Sequence, residues 1–503
     1  MRIYFWEKEV LQVSNQKAPE AKAAYPRYKI IGLFAGVIAF AVLLLMPGLP
    51  GLPPIGQKVL ALVALMVIWW ITEAIPIGMT ALLPLVLCPI LGIAGKSVTE
   101  EGINIYTSYA DPAVMMCLGI FMFSACIVKW GLHKRMALYV VKLVGGKPSR
   151  IVLGFLLATT FVSMWISNTT ATAMMLPLAV ALVMQLGLTM HDGMAKALVL
   201  AIPYGASAGG LATLIGSGTN VSGVALMQEL SGQEVTFMDW LKVGLPVTIL
   251  LMPLIWFVLC RMFRVKEAHI GSSNVIDEEL KALGPMSRGE KMIGVLFVLA
   301  ILLFMTRKYT IGALFPLVTD ETVAIIIGLI LFVIPVDLKN GVFLLDIKTA
   351  INGVSWNTFL LLGGATCMGQ LMTKTGIADW IAGGMGFLSG MPTLVMLLVL
   401  GTIVMLLTEL CTNMVVAVAF LPMIYSIAVP LGHNPFLMMF LITLGAGCSW
   451  MLPSGTPPNA IAFGTGYIEI KDMVKAGLLI KIGTIFILPL AMYLISMPLT
   501  DLF

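Results

Sequence analysis

The chain has 503 residues, 59% of them hydrophobic and 11% charged, with a mean hydropathy of +1.00. Soluble proteins carry roughly 25% charged residues, so this composition excludes an ordinary soluble fold and describes a polytopic membrane protein. The net charge of +5 is small for the length and reads as a bias of Lys and Arg toward cytoplasmic loops, not as a nucleic-acid surface.

In chain order, residues 1–29 form a polar N-terminal segment with no apolar core long enough for a cleaved signal peptide. At roughly 20 apolar residues per crossing, eleven transmembrane helices are expected, at about 30–48, 57–75, 77–94, 113–132, 195–226, 240–262, 289–307, 322–336, 357–373, 436–468 and 477–499. Two apolar stretches, 151–188 and 392–430, carry polar clusters near their middles and read as re-entrant hairpins. A polar linker at 265–288 separates a first half, 30–264, from a second half, 289–503.

The two hairpins are copies of one unit. Ser163, Ser167, Asn168 and Pro177 recur 245 positions later as Thr408, Thr412, Asn413 and Pro422, and Lys129-x-Gly131 recurs as Lys374-x-Gly376. Each half also contains an interrupted span, 195–226 and 436–468. Gly216-Ser217-Gly218-Thr219-Asn220 stands in the first and Gly455-Thr456-Pro457-Pro458-Asn459 in the second. Glycine and proline break a helix, and broken backbone at membrane depth persists only where it lines a cavity. Matched interruptions in two halves point to a transport site.

Charge sets the expected orientation. The segment after the fourth span holds Lys134, Arg135, Lys142, Lys147 and Arg150 and no acid, whereas its counterpart after Lys374 holds only Asp379. Two inverted-topology repeats place the first segment inside and the second outside, with the N-terminus cytoplasmic and the C-terminus extracellular. The basic residues in and beside the linker, Arg261, Arg264, Lys266, Arg288 and Lys291, then also fall inside.

Hydroxyls and amide oxygens at the tips, with freed carbonyls near Gly216 and Gly455, are hard neutral ligands suited to an alkali cation. Backbone N–H groups at half-helix N-termini, with the hydroxyls of Thr169, Ser217 and Thr456, suit carboxylate oxygens. Two equivalent pockets facing each other fit a ligand with two anionic ends. The bland alternative, that small hydroxylated residues only let helices pack, does not explain two motifs repeated in register. Gly205-Ala206-Ser207-Ala208-Gly209 has the spacing of a nucleophile elbow but lies in a long apolar span, which argues against an enzyme. Glu409, whose counterpart is Met164, is either a proton or counter-ion site or a structural hydrogen-bonding group. The seven cysteines stand singly, and no cofactor is expected beyond sodium as a coupling ion.

The Ser167-Asn168-Thr169 motif, the Thr408-Glu409 approach to Asn413 and the two breaks resemble the divalent anion/sodium symporter family, the INDY-type dicarboxylate transporters, over nearly the whole chain. The resemblance implies a homodimer in the plasma (inner) membrane, each protomer moving a transport domain against a scaffold as an elevator. It implies a first sodium site at Ser163, Ser167, Asn168 and Gly216 and a second at Thr408, Thr412, Asn413 and Gly455. It implies substrate contacts from Asn168, Thr169, Ser217, Asn413, Thr456 and Pro457. The chain departs from the pattern at Met414, where the family has a hydroxyl.

The expected function is secondary transport of C4/C5 dicarboxylates such as succinate, malate, fumarate or 2-oxoglutarate, by sodium symport or by exchange. Its partners are the small-molecule dicarboxylate and membrane lipid, with no nucleic acid. A sulfate or citrate/tricarboxylate carrier of the same fold is the nearest alternative, followed by an anion channel.

Overall fold

The computed structural model describes residues 26–93, 104–144, 147–265, 274–384 and 390–496. Most of the expected N-terminal segment, part of the 265–288 linker and the end of the last span lie outside these residues. The described chain is almost wholly helical, its one sheet a two-stranded antiparallel ribbon of Pro335–Asp337 and Val342–Phe343.

Eight described helices are long and apolar enough to cross a membrane. Most of the other expected spans are shorter or interrupted pieces. The stretch at 77–94 is two short helices, Ile77–Thr80 and Leu83–Leu91, and the span after the first of the eight helices in the second half, Asp320–Val333, stops where the ribbon starts. Leu132–Val144 is a separate amphipathic helix holding His133, Lys134 and Arg135, and Asn274–Leu283 is a charged helix within the linker. Lys134 pairs with Glu279 at 3.2 Å and Lys142 with Asp277 at 2.7 Å, so the linker helix is pinned to the helix that leads into the first hairpin.

The first hairpin consists of a leading arm, Pro148–Ser163, and a trailing arm, Asn168–Gln185; the second consists of Thr393–Leu407 and Asn413–Ala428. Beside each lies a broken helix. Gly193–Ala212 gives way to a 3-10 turn, Leu214–Gly216, before resuming as Gly218–Ser231. Pro435–Ala446 unwinds before a short helix, Pro457–Phe463. The halves interlock reciprocally. The trailing arm of the first hairpin packs on Pro457–Phe463, and that of the second packs on Gly218–Ser231.

Gly193–Ala212 is the best-buried of the long helices, and its small residues explain why. A Cβ on Gly209 would stand 2.2 Å from the Thr160 carbonyl oxygen of the leading arm, so only glycine permits this approach. Away from the hairpins, Pro112–Lys129 crosses Asp320–Val333 just as closely, and a Cβ on Gly119 would lie 2.1 Å from the Ala324 carbonyl oxygen. Overpacking costs about 1–3 kcal/mol where side chains can yield, and here the obstacle is backbone. Gly119→Val is therefore expected to lower the thermal midpoint of the detergent-solubilised protein by several degrees; an unchanged midpoint would show that this crossing is not close-packed.

Candidate functional site

The chain stops being helical at both hairpin tips, and a matched pair of hydrogen bonds closes each. Ser163 Oγ donates to Asn168 Oδ1 at 2.8 Å and lies 2.8 Å from the Ala206 carbonyl oxygen of the neighbouring broken helix. Thr408 Oγ1 makes the same contacts, to Asn413 Oδ1 at 2.8 Å and to the Ala446 carbonyl oxygen at 2.5 Å. Ser163 and Thr408 are fully buried beneath the tips. With its oxygen occupied, each asparagine keeps its amide N–H groups for another partner.

Both breaks are held by the asparagine that ends their motif. Asn220 Nδ2 donates to the carbonyls of Gly210 at 2.6 Å and Thr213 at 2.8 Å. Asn459 Nδ2 donates to those of Ser449 at 3.5 Å and Leu452 at 3.1 Å. Sequence reasoning marked these asparagines only as motif ends; the repetition of the motif was the signal for their role. Ser217 Oγ accepts from Thr219 N–H at 3.2 Å and Thr456 Oγ1 from Asn459 N–H at 3.4 Å, which leaves each hydroxyl proton free to donate.

Tips and breaks meet in one cavity of about 570 Å³. It is lined by Ser167, Asn168, Thr169, Gly216 and Ser217 from the first half and by Thr412, Asn413, Gly455, Thr456 and Pro457 from the second. Of the expected site residues, only Ser163 and Thr408 do not line it; they are bonded to Asn168 and Asn413, which do. The lining also includes residues the sequence reading missed, among them Glu73, Phe121, Ser355 and Thr358. Glu73 is one of two described non-glycine residues with a left-handed backbone, φ 47°, and lies 3.4 Å from Lys29.

A second cavity of about 520 Å³ shares Phe121, Ser167, Gly216, Ser217, Gly218 and Ser355 with the first and extends to Lys129, Thr349 and Asn352. Lys129 stands at its rim, 2.9 Å from Asp346. That hydrogen bond, with those from Thr349, holds the Asp346 carboxyl well below the usual carboxylate range.

The two half-sites are not identical. Ser167 caps the trailing arm by accepting from Thr170 N–H at 3.3 Å, whereas Thr412 makes no such cap, and its buried hydroxyl oxygen has no partner among the described residues. Position 415, which corresponds to Thr170, is a valine. Gly218 and Thr219 supply N–H groups at the first break, but Pro457 and Pro458 have none at the second. Met414 and Gly218 both line the cavity, and a Cβ on Gly218 would lie 2.7 Å from the Met414 Cε.

Among the described residues, no group of three or more His, Cys, Asp or Glu side chains is gathered as for a transition metal. The donors at the tips are hydroxyl, amide and carbonyl oxygens, and the unpartnered Thr412 hydroxyl fits a hard monovalent cation. Ser207 is inside Gly193–Ala212 and buried, so the elbow spacing is an accident of a small-residue helix. Glu409 accepts hydrogen bonds from the second break and is also the counter-ion of Lys481 at 2.7 Å, so its contacts match both the structural and the counter-ion alternatives weighed for it.

Comparison with known proteins follows the same lines. The family model described as "Sodium:sulfate symporter transmembrane region" matches residues 27–502. A sodium-dependent dicarboxylate transporter SdcS of Staphylococcus saprophyticus is 33% identical over 499 residues, covering 96% of this chain and 94% of its own length. The SdcS of Staphylococcus aureus is 34% identical over 485 residues, covering 94% and 92%. In fold, the chain is similar to the Alcanivorax borkumensis YdaH transporter, with a TM-score of 0.55 at 12% identity over 94% of this chain and 97% of that one. The chain therefore belongs to the sodium:sulfate symporter family of multi-pass membrane transporters, the divalent anion/sodium symporters, and not to an enzyme family.

Proposed function

We propose that the protein is a plasma-membrane carrier that moves C4/C5 dicarboxylates, coupled to sodium. The observation that carries this reading is the convergence of both hairpin tips and both breaks on one cavity, each tip presenting an asparagine amide and each break a hydroxyl with a proton to give. Each carboxylate of a short dianion takes one tip and one break, Asn168, Thr169 and Ser217 on one side and Asn413, Thr456 and the edge of Pro457 on the other. The SdcS relatives support the substrate class and the sodium requirement.

Sodium binds behind each tip in this reading, at Ser163, Ser167, Asn168 and Gly216 and at Thr408, Thr412, Asn413 and Gly455. A charge crossing hydrocarbon unpaired is prohibitively costly, so the cations offset the dianion while the tips carry it. Hairpins and broken helices move as one body against a scaffold that includes Glu73, Phe121 and Thr358, in a homodimer set in lipid, with the N-terminus inside and the C-terminus outside. The cavity that runs to Lys129 then opens to the cytoplasm.

Labelled succinate uptake into proteoliposomes tests the coupling. An inward sodium gradient with an empty lumen is expected to drive accumulation; uptake only without sodium into vesicles preloaded with dicarboxylate would replace symport with exchange. In the same assay Asn168→Ala and Asn413→Ala each remove a carboxylate donor and the hydrogen bond that closes a hairpin tip, together worth about a hundredfold in uptake. Normal uptake by both variants would discard the site.

Met414→Thr restores a hydroxyl and clears the side chain that reaches Gly218. Longer substrates, 2-oxoglutarate and citrate, are expected to compete with succinate about tenfold better, the scale of a pocket enlarged by a few atoms; unchanged competition would mean that Met414 does not bound the substrate.

A further inference from the structure

Glu409 and Lys481 form a fully buried ion pair behind the second break, with Lys481 Nζ 2.7 Å from Glu409 Oε1. The ammonium also bonds to the carbonyl oxygens of Cys448 and, at 2.6 Å, of Met405. The carboxylate accepts from the N–H groups of Trp450 at 2.8 Å, Met451 at 2.9 Å and Leu452 at 3.3 Å, and from Ser449 Oγ at 3.2 Å. It thereby fixes four successive residues of the unwound segment.

The first half shows what stands there without the pair. Thr248 Oγ1 donates to the Ala208 carbonyl at 3.0 Å, the position matching Cys448 when Gly205 is aligned with Gly445. Met164 matches Glu409, and its own carbonyl accepts from Thr213 Oγ1 at 2.5 Å. The first break, 213–217, contains a 3-10 turn, while the second leaves residues 447–456 without helix. A longer uncoiled stretch needs a stronger tie.

The pair is also an oriented dipole. Its Oε1 side faces the ammonium, and Oε2 lies 3.5 Å from the position of a Cβ on Gly455. In a medium of low dielectric, a carboxylate so placed favours a cation at the Gly455 carbonyl. The unpartnered Thr412 hydroxyl is an independent sign that a ligand is due on this side of the cavity.

We infer that Glu409 and Lys481 are positioning residues for the second cation site: they hold the second break in register and raise its sodium affinity, so that the two half-sites bind sodium unequally. The inference rests on the sodium reading above. Removing one partner alone strands a buried charge and threatens folding. The test therefore uses Glu409→Met with Lys481→Thr, which installs the first-half residues, and Glu409→Gln with Lys481→Met, which keeps the shape of the pair without its charge.

Succinate uptake by the full-length protein in proteoliposomes is measured against sodium concentration, and the succinate KM at saturating sodium. Both double variants are expected to need roughly tenfold more sodium for half-maximal uptake, a coupling of ordinary size, with the succinate KM at saturating sodium almost unchanged. An unshifted sodium curve, or a changed KM with no sodium shift, overturns the inference. So does loss of folded protein in both variants, since the pair would then serve the fold alone. Sodium-independent uptake by the unaltered protein would instead sink the sodium reading itself.

Discussion

Backbone polar groups set free inside a membrane must find partners, and this molecule is arranged around meeting that demand four times. Two hairpin tips and two broken helices interrupt helices in the middle of apolar sequence. Unsatisfied groups there cost several kcal/mol each. Thr408, Asn220 and Asn459 bind carbonyls that the helices have released, Ser163 binds the Ala206 carbonyl within the neighbouring helix, and Glu409 binds N–H groups. Once these ties are in place, Ser167, Asn168, Thr169, Ser217, Asn413 and Thr456 line one cavity. The residues that satisfy the fold's own backbone are thus the same ones that the proposed function asks to hold a charged ligand.

Duplication supplies the frame, and divergence supplies the chemistry. The serine or threonine to asparagine bond is the same in both halves, within the same distance. Around it the halves differ in charge and in donors. The first break offers backbone N–H groups where the second has prolines, and the second has a buried ion pair where the first has threonine and methionine. The cavity between the halves is therefore asymmetric, with Met414 reaching toward Gly218 where a hydroxyl would have left space open.

Much of this was legible in the sequence because the signals were strong and repeated. Apolar length marked the spans, and the 245-residue offset marked the tips, since chance does not place Ser163, Asn168 and Pro177 in register with Thr408, Asn413 and Pro422. What escaped lacked such a signal. Leu132–Val144 and Asn274–Leu283 are too charged to register as spans, although their pairing through Lys134 and Glu279 is a matter of helix faces. Glu73 and Thr358 reach the cavity from segments that carry none of the repeated polar motifs of the tips and breaks. That Glu409 is tied to the second break and paired with a lysine could not be told from its place in an apolar stretch, because its partner Lys481 lies 72 positions away.

The central claim is that one dianion bridges both halves, with cations behind each tip. The most direct measurement is an experimental structure of the protein in lipid with sodium and succinate. The account predicts ligand density spanning Asn168 and Asn413, with spherical density beside Gly216 and beside Gly455. Succinate bound in any other cavity, or bound by one half alone, would contradict it.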